Sequence, residues 1–215
     1  MIIVDDASCD GSCEYIQALI ADDERIKLIA LTSNVGAAEA RNRALEVAKG
    51  RYIAFLDSDD IWLPMKLERQ LKYMQHYQYA FTFTGYTPFS EDGSEEYTPI
   101  HIPPVLDYAS YCKNTIIGCL TVIIDRSVVG DFRMPNIKSS HDMALWLFLM
   151  RRGFKAYGLD EVLAKYRVVS SSNTAKKYKA AADVWRVYRD IEKLGLLKSS
   201  WYFINYALNA IRKRI

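Results

Sequence analysis

Three short apolar runs, separated by helix-patterned segments and each closed by a polar cluster, set the architecture of the first 60 residues. Residues 1–4 form an uninterrupted apolar run, the pattern of a strand covered on both faces. Residues 12–21 read as a helix and residues 26–31 as a second strand. Residues 36–48 carry Ala37, Ala40, Ala44 and Ala48, a stripe of small side chains that lets a helix approach a sheet closely, and Gly50 stops it. Residues 51–56 supply a third strand. A βαβαβ order predicts an α/β domain with a parallel sheet and right-handed crossovers.

Beyond Asp60 the pattern loosens. Residues 65–76 look helical after Pro64, and residues 80–84 look like a strand. Residues 85–114, rich in Pro, Tyr, Ser and acids, read as an irregular, substrate-shaping excursion. Residues 121–124, 154–158 and 163–168 are further strand candidates. Residues 139–152 are apolar nearly all round, which predicts a buried helix. Residues 175–194 and 198–214 form a helical pair broken at Gly195. Two regions are expected, a catalytic body over 1–174 and a basic helical extension over 175–215.

Charge is unevenly spread along the 215 residues. Up to Thr174 there are 18 basic and 23 acidic residues; from Ala175 on there are 10 basic and 3 acidic. A basic, aromatic-rich tail suits an anionic membrane surface better than nucleic acid, which is not expected as a partner. The chain contains no stretch of about 20 apolar residues, so no membrane span is predicted. Met1 leads straight into Ile2-Ile3-Val4 and two carboxylates, unlike a signal peptide. Cys9, Cys13, Cys112 and Cys119 lack metal-ligand spacing and read as reduced thiols. A cytoplasmic location, peripheral at the inner face of the membrane, is the expectation.

In an open parallel sheet, ligands bind beyond the carboxyl ends of the strands. The first strand here ends in Asp5-Asp6-Ala7-Ser8, the second leads to Ser33-Asn34-Val35-Gly36, and the third ends in Asp57-Ser58-Asp59-Asp60. One such ending is ordinary helix capping or turn chemistry, and for Asp10 and Asp60 that reading is as strong as a ligand role. Three carboxylates within four residues exceed what capping needs and repel one another. A divalent cation is the natural compensation, and oxygen-only ligands point to Mg²⁺ or Mn²⁺ shared with substrate phosphates.

The run from Ile2 to Ser12 closely resembles the I-I-V-D-D-x-S-x-D-x-S segment of family-2 glycosyltransferases. Asn34-Val35-Gly36 through Ala40-Arg41-Asn42 is similar to their N-x-G-x-x-x-A-R-N stretch, and residues 50–60 to G-x-Y-I-x-F-L-D-x-D-D, which contains the D-x-D motif. Weaker similarity continues through Ser140-His141-Asp142-Met143-x-Leu145-Trp146 and from Tyr166-Arg167 to Ser172. The resemblance implies a GT-A-like, nucleotide-diphospho-sugar transferase fold, a mostly parallel sheet flanked by helices. It also implies an inverting, metal-assisted transfer of a sugar from a nucleotide-sugar donor, usually UDP-linked, to a hydroxyl of a saccharide or lipid-linked saccharide in bacterial surface-polysaccharide synthesis.

On that resemblance Asp6 contacts the base, Arg41 sits beside the nucleotide, and Asp5, Ser8, Asn34 and Ser58 complete the nucleotide-sugar site. Asp57 contacts the ribose or donor and shares with Asp59 the Mn²⁺ or Mg²⁺ that bridges the diphosphate. Arg167, whose fixed fork suits phosphate oxygens, helps hold it. Asp142 is the implied general base, and its place at the start of a helix favours the ionised form a base requires; plain N-capping has the same address. The family usually has Glu where His141 stands, and His141 reads as a local hydrogen-bonding residue. Trp146 reads as core.

Family members carry a further strand, ending near P-x-Y-N, and a helix ahead of the segment that opens this sequence. The expectation is a piece of a longer enzyme or a chain without activity, binding nucleotide weakly. A non-catalytic binding or scaffold domain of the same fold stays open. A sugar-phosphate nucleotidyltransferase would need a Gly-rich, basic N-terminal loop, which this sequence does not show. In the tail, Trp201, Ile204, Leu208, Ile211 and Ile215 share one helical face, and Ala181, Val184, Tyr188 and Ile191 another. Helices packing on each other or on the body is the plain reading. A membrane contact through 198–215, with Trp201, Tyr202, Phe203 and Tyr206 beside Arg212-Lys213-Arg214, is the sharper one, and a homodimer is a third.

Overall fold

The computed structural model describes residues 1–21, 23–169 and 177–212, the side chains of Lys177 and Arg212 excepted. Ser172 and Lys213, Arg214 and Ile215 lie outside the described residues. The chain divides into two compact units, one comprising Met1–Gly50 and Phe132–Leu145, the other Arg51–Asp131 and the residues from Trp146 on.

In the first unit, β1 (Ile2–Asp5) pairs in parallel with β2 (Lys27–Ala30), with Ile2 opposite Lys27 and Asp5 opposite Ala30. The connection is α1 (Ser12–Ile20), which starts after Asp10 accepts hydrogen bonds from the Ser12 N–H at 3.0 Å and the Ser12 hydroxyl at 2.6 Å. Those two bonds hold the Asp10 carboxyl below its ordinary range. The helix α2 (Ala37–Val47) buries Ala38, Ala40 and Asn42, while Ala37 stays exposed. Small side chains thus line the buried side as expected, shifted by one position at its start.

The second unit holds a six-stranded sheet. Its β3 (Tyr52–Ala54), β4 (Ile61–Trp62), β5 (Phe81–Ser90), β6 (Val105–Leu106), β7 (Ile123–Asp125) and β8 (Ala156–Val168) pair in the order β3-β7-β5-β8-β4, with β6 also on β8. The sequence pattern places the third strand in parallel register with the first two. The structure corrects this: β3 pairs antiparallel with β7, Tyr52 opposite Asp125. The pairing buries Ile53 with Ile123 and Ile124, and at its end Arg51 Nη2 and Nε donate to Asp125 Oδ2 at 2.7 and 3.0 Å. Among the described residues, parallel pairing is confined to β1–β2 and β5–β8; the other four pairs are antiparallel.

Two further expectations change. Residues 85–114 are ordered: β5 runs to Ser90, the chain turns through Gly93 at φ 77, and it returns with the Tyr97 N–H on Pro88 O and the Ile100 N–H on Tyr86 O. Asp107 and Ser110 then form a reciprocal capping box that starts α4 (Tyr108–Lys113). Gly85 and Pro88 look like breakers in sequence, yet Gly85 sits at a bulge where a Cβ would come within 3.0 Å of Ile100 O. The two strands expected over 154–158 and 163–168 are one strand, β8, whose nine residue pairs with β5 carry it across the bulge.

The helices α3 (Lys66–Tyr77), the short α5 (Arg126–Val129) and α6 (His141–Arg151) complete the body. The unit boundary passes through α6. Its Trp146 is fully buried against Phe81 at 5.3 Å and Phe55 at 6.2 Å between ring centroids, so it is core, as its sequence setting suggests. The tail forms α7 (Lys177–Arg186), a π turn (Val187–Ile191) and α8 (Leu196–Arg212). Val184 and Tyr188 bury their side chains, and Tyr108 donates its hydroxyl to Glu192 at 2.8 Å.

A buried polar network around α3 was not foreseen. Lys66 is wholly buried, lies over the Trp62 ring at 4.6 Å and donates to Gln70 Oε1 at 2.8 Å. Gln70 in turn donates to Thr82 Oγ1 and Thr121 O, and Trp62 Nε1 donates to Leu120 O. Burial pushes the Lys66 ammonium down to about 7. Between about 7 and the ordinary value of 10.5 the unfolded chain holds the extra proton, so this group makes stability rise with pH across that window. Replacement by Met should therefore stabilise most near pH 7. That advantage should shrink towards alkaline pH by up to about 1.4 kcal/mol per pH unit, read by denaturant unfolding of both proteins.

Candidate active site

The tips of β1 and β2 meet in the first unit. Asp5 is buried, and its carboxylate accepts the Ser8 N–H at 3.1 Å, closing a turn in which Ala7 takes φ 59. Asp6 accepts two backbone N–H groups, from Val35 at 2.7 Å on Oδ1 and from Gly36 at 2.8 Å on Oδ2. Asn34 Nδ2 donates to Asp6 O at 3.2 Å. Asp6 thus ties the β1 tip to the residues that lead into α2. Each of its oxygens keeps a second lone pair for an outside donor. Gly36, at φ 86 and ψ 156, occupies a region that essentially only glycine adopts. Ser8 and Asn34 are exposed beside this turn.

Further along α2, the Arg41 guanidinium meets His141 Nε2 at 2.5 Å. Arginine only donates, so Nε2 is the acceptor and the imidazole is neutral with its proton on Nδ1. His141 is a local hydrogen-bonding partner, as its sequence position suggested, and it orients Arg41. Asn42, buried, clamps the segment before α6: its Nδ2 donates to Met134 O at 3.0 Å and its Oδ1 accepts the Met134 N–H at 2.8 Å. Sequence reading passed over Asn42 as part of a motif; its reciprocal bonds give it a structural role. Asp142 is the second residue of α6, half-buried, and accepts no recorded hydrogen bond among the described residues. It lies within the first turn rather than at the capping position.

In the second unit, the acidic run follows β3 as a turn closed by the Asp60 N–H on Asp57 O at 3.1 Å. The four residues divide by burial. Asp60 is buried and accepts the Arg167 N–H at 2.9 Å. Burial pushes its carboxyl up to about 7, against the pull of that N–H and with added repulsion from Asp57 and Asp59. Asp59 and Ser58 are exposed and Asp57 half-buried. Arg167 spans the turn: Nε donates to Asp59 O at 2.9 Å, Nη1 to Glu91 O at 2.6 Å, and the guanidinium lies over Phe89 at 4.4 Å. It anchors the acidic turn, with three of the five guanidinium N–H groups left over for an anion.

The acidic turn fits an oxygen-coordinated divalent ion of modest protein ligation. The Asp59 carboxylate is exposed and takes no recorded hydrogen bond among the described residues, and the charges of Asp57 and Asp59 are felt by Asp60. Among the described residues no group of three or more His, Cys, Asp or Glu side chains is arranged to hold a metal. An ion held at this turn would take one or two carboxylates from the protein and its remaining oxygens from elsewhere, as Mg²⁺-type sites do. The four cysteines are free thiols, Cys112 and Cys119 buried.

The family profile for "Glycosyl transferase family 2" matches residues 1–143, two thirds of the chain. The chain belongs to this family. It is 52% identical over 215 residues to a Bacillus subtilis (strain 168) protein assigned to teichuronic acid biosynthesis as glycosyltransferase TuaG, covering 100% of this chain and 85% of that one. It is 34% identical over 214 residues to the Escherichia coli UDP-Glc:alpha-D-GlcNAc-diphosphoundecaprenol beta-1,3-glucosyltransferase WfgD, covering 99% of this chain and 82% of that one. Among solved structures, Staphylococcus aureus TarS 1-349 in complex with UDP-GlcNAc superposes with a TM-score of 0.68 at 16% identity, covering 96% of this chain. The Pyrobaculum calidifontis mannosyltransferase PcManGT, in complex with GDP-Man and Mn²⁺, gives 0.68 at 16% over 97% of this chain. The chain spans 62% and 64% of the lengths of those two structures. These likenesses establish the GT-A fold for this family-2 glycosyltransferase.

The turn chemistry predicts two measurable costs. Gly36→Ala forces a methyl-bearing residue into the glycine region and should lower unfolding stability by about 1–3 kcal/mol. Asp6→Ala strands two N–H groups at the entrance to α2 and should cost a similar amount, about 1.5–3 kcal/mol, in the same denaturant titration.

Proposed function

We propose that this family-2 glycosyltransferase moves a sugar from a UDP-sugar to a hydroxyl of a saccharide or lipid-linked saccharide, with metal assistance and inversion at the anomeric carbon. The observation that carries the proposal is the division of labour in the acidic turn. Asp60 is buried and bonded to the Arg167 N–H, while the Asp59 carboxylate is exposed on the same turn. The relatives support the substrate classes: one bears a UDP-Glc donor and a diphosphoundecaprenol-linked acceptor in its name, another teichuronic acid biosynthesis.

In this reading Asp59, with Asp57, holds Mn²⁺ or Mg²⁺, and Asp57 also contacts the donor with Ser58. A bound ion supplies Lewis-acid stabilisation of the charge that grows on the departing nucleoside diphosphate. Asp6 offers its remaining lone pairs to the N–H of a uracil, with Asp5, Ser8 and Asn34 shaping the turn around it. Arg41, oriented by neutral His141, places positive charge beside the nucleotide. Arg167 uses its leftover donors on the diphosphate. Asp142, uncommitted in the first turn of α6, takes the proton from the acceptor hydroxyl as that oxygen attacks the anomeric carbon from the face opposite the leaving group. The region 1–174 is the catalytic body in this proposal, with 175–215 as an accessory extension.

The test is release of UDP from a panel of UDP-sugars, with and without Mn²⁺ or Mg²⁺. Release that requires the ion and disappears in Asp59→Ala supports the reading. Asp142→Asn should slow transfer to an acceptor about 10²–10⁴-fold while leaving UDP-sugar affinity within a few-fold. Ion-independent release, or Asp59→Ala with full activity, overturns the metal assignment; failure to bind any nucleotide sugar favours a scaffold instead.

A further inference from the structure

The helix α8 presents two different faces. One is seated in the protein: Ser199 and Tyr202 are buried, Asn209 Nδ2 donates to Lys113 O at 2.9 Å, and Phe203 meets Trp185 edge-on at 5.4 Å. The plain expectation of packing is met there. Leu197, Trp201, Ile204, Leu208 and Ile211, which alternate in steps of four and three along the helix, lie on another face. All five are exposed, from 49% for Leu208 to 89% for Leu197. Five large apolar side chains on one stripe form the kind of contiguous patch that marks an interaction surface.

Charge decides which surface it suits. Between Leu196 and Arg212 there is no acidic residue, Lys198 stands exposed in the first turn, and Arg212-Lys213-Arg214 follow Ile211 in sequence. A second copy would bring the same positive charge to the same patch, whereas an anionic lipid surface neutralises it. Trp201, 58% exposed, adds an amphipathic ring of the kind that favours a water–lipid boundary. No helix among the described residues is long and apolar enough to cross a membrane. At 17 residues, α8 is about 25 Å long, enough to lie along a surface.

We propose that α8 docks in the plane of an anionic phospholipid surface, with Leu197, Trp201, Ile204, Leu208 and Ile211 seated between acyl chains and Lys198 on a lipid phosphate. The proposal is independent of the transfer reaction, and its readout is lipid binding. The test is co-sedimentation of the full chain with vesicles of phosphatidylcholine alone and of phosphatidylcholine with phosphatidylglycerol. Binding should favour the anionic vesicles by about tenfold or more and weaken as salt rises. The Trp201→Ser/Ile204→Ser/Leu208→Ser variant should lose about tenfold or more in partitioning while keeping its circular dichroism and Tm, since all three side chains are exposed. Brominated lipid should quench tryptophan emission in the unaltered protein and much less in Trp201→Phe. Equal binding to neutral and anionic vesicles, or a triple variant that binds like the unaltered protein, overturns the proposal. So does a concentration-dependent dimer that the triple variant dissolves in the absence of lipid binding, which would assign the face to a second copy.

Discussion

The parallel pairing of β5 with β8 is the constraint that organises the second unit. Nine residue pairs, from Thr82 with Tyr157 to Ser90 with Val168, run through a bulge at Gly85. The bulge absorbs the extra residues of β8 around Asp160, whose carboxylate accepts the Ile102 N–H at 3.0 Å and so fixes the returning chain. Gly158 lies on the same ladder where a Cβ would come within 2.2 Å of Pro103 O, so the ladder and that segment are mutually dependent. The register of this ladder sets Phe89 opposite Arg167, and from there the guanidinium reaches the acidic turn. The acidic turn is thus tied, beyond its own Asp60-to-Asp57 bond, to a strand residue 107 positions after Asp60.

The carboxylates of the chain fall into two physical classes. Asp5, Asp60 and Asp125 are buried and spend their lone pairs on backbone N–H groups, a hydroxyl or a guanidinium. They hold turns and strand ends in place, and burial makes Asp60 reluctant to ionise. Asp59 and Asp142 keep their oxygens uncommitted within the protein, which is what a ligand to an ion or a proton acceptor requires. Asp6 stands between the classes, half-buried and doubly bonded to the backbone, with capacity left over. Asp60 and Asp59 show the two classes side by side on one turn, the first bonded to the Arg167 N–H and the second exposed.

Much of this was legible in the chain. The apolar run Ile2-Ile3-Val4, the helix over residues 37–47 and the buried helix beginning at His141 follow from hydrophobic periodicity, because 3.6- and 2-residue patterns are local properties. The acidic run after β3 was legible as a candidate site because its charge density exceeds what turn chemistry needs. The β-structure between Gly85 and Leu106 was not, because Gly85 and Pro88 signal interruption locally and only the partner strand shows that a bulge accommodates them. Lys66 and Gln70 were equally hidden: on a helix that also carries Leu67, Leu71 and Met74, nothing marks two polar residues as wholly buried until the sheet is laid over them.

The amino-acid order alone determined the family, the strand–helix alternation at the start and the identity of the candidate ligands, since each rests on short-range pattern and residue chemistry. Tertiary structure decided which partner each strand takes, with β3 pairing with β7 and not with the β1–β2 pair. It also separated Asp60 from Asp59 by burial and left the apolar stripe of α8 uncovered. Strand partnership and burial are long-range quantities, fixed by residues far apart along the chain, and no local window of sequence contains them.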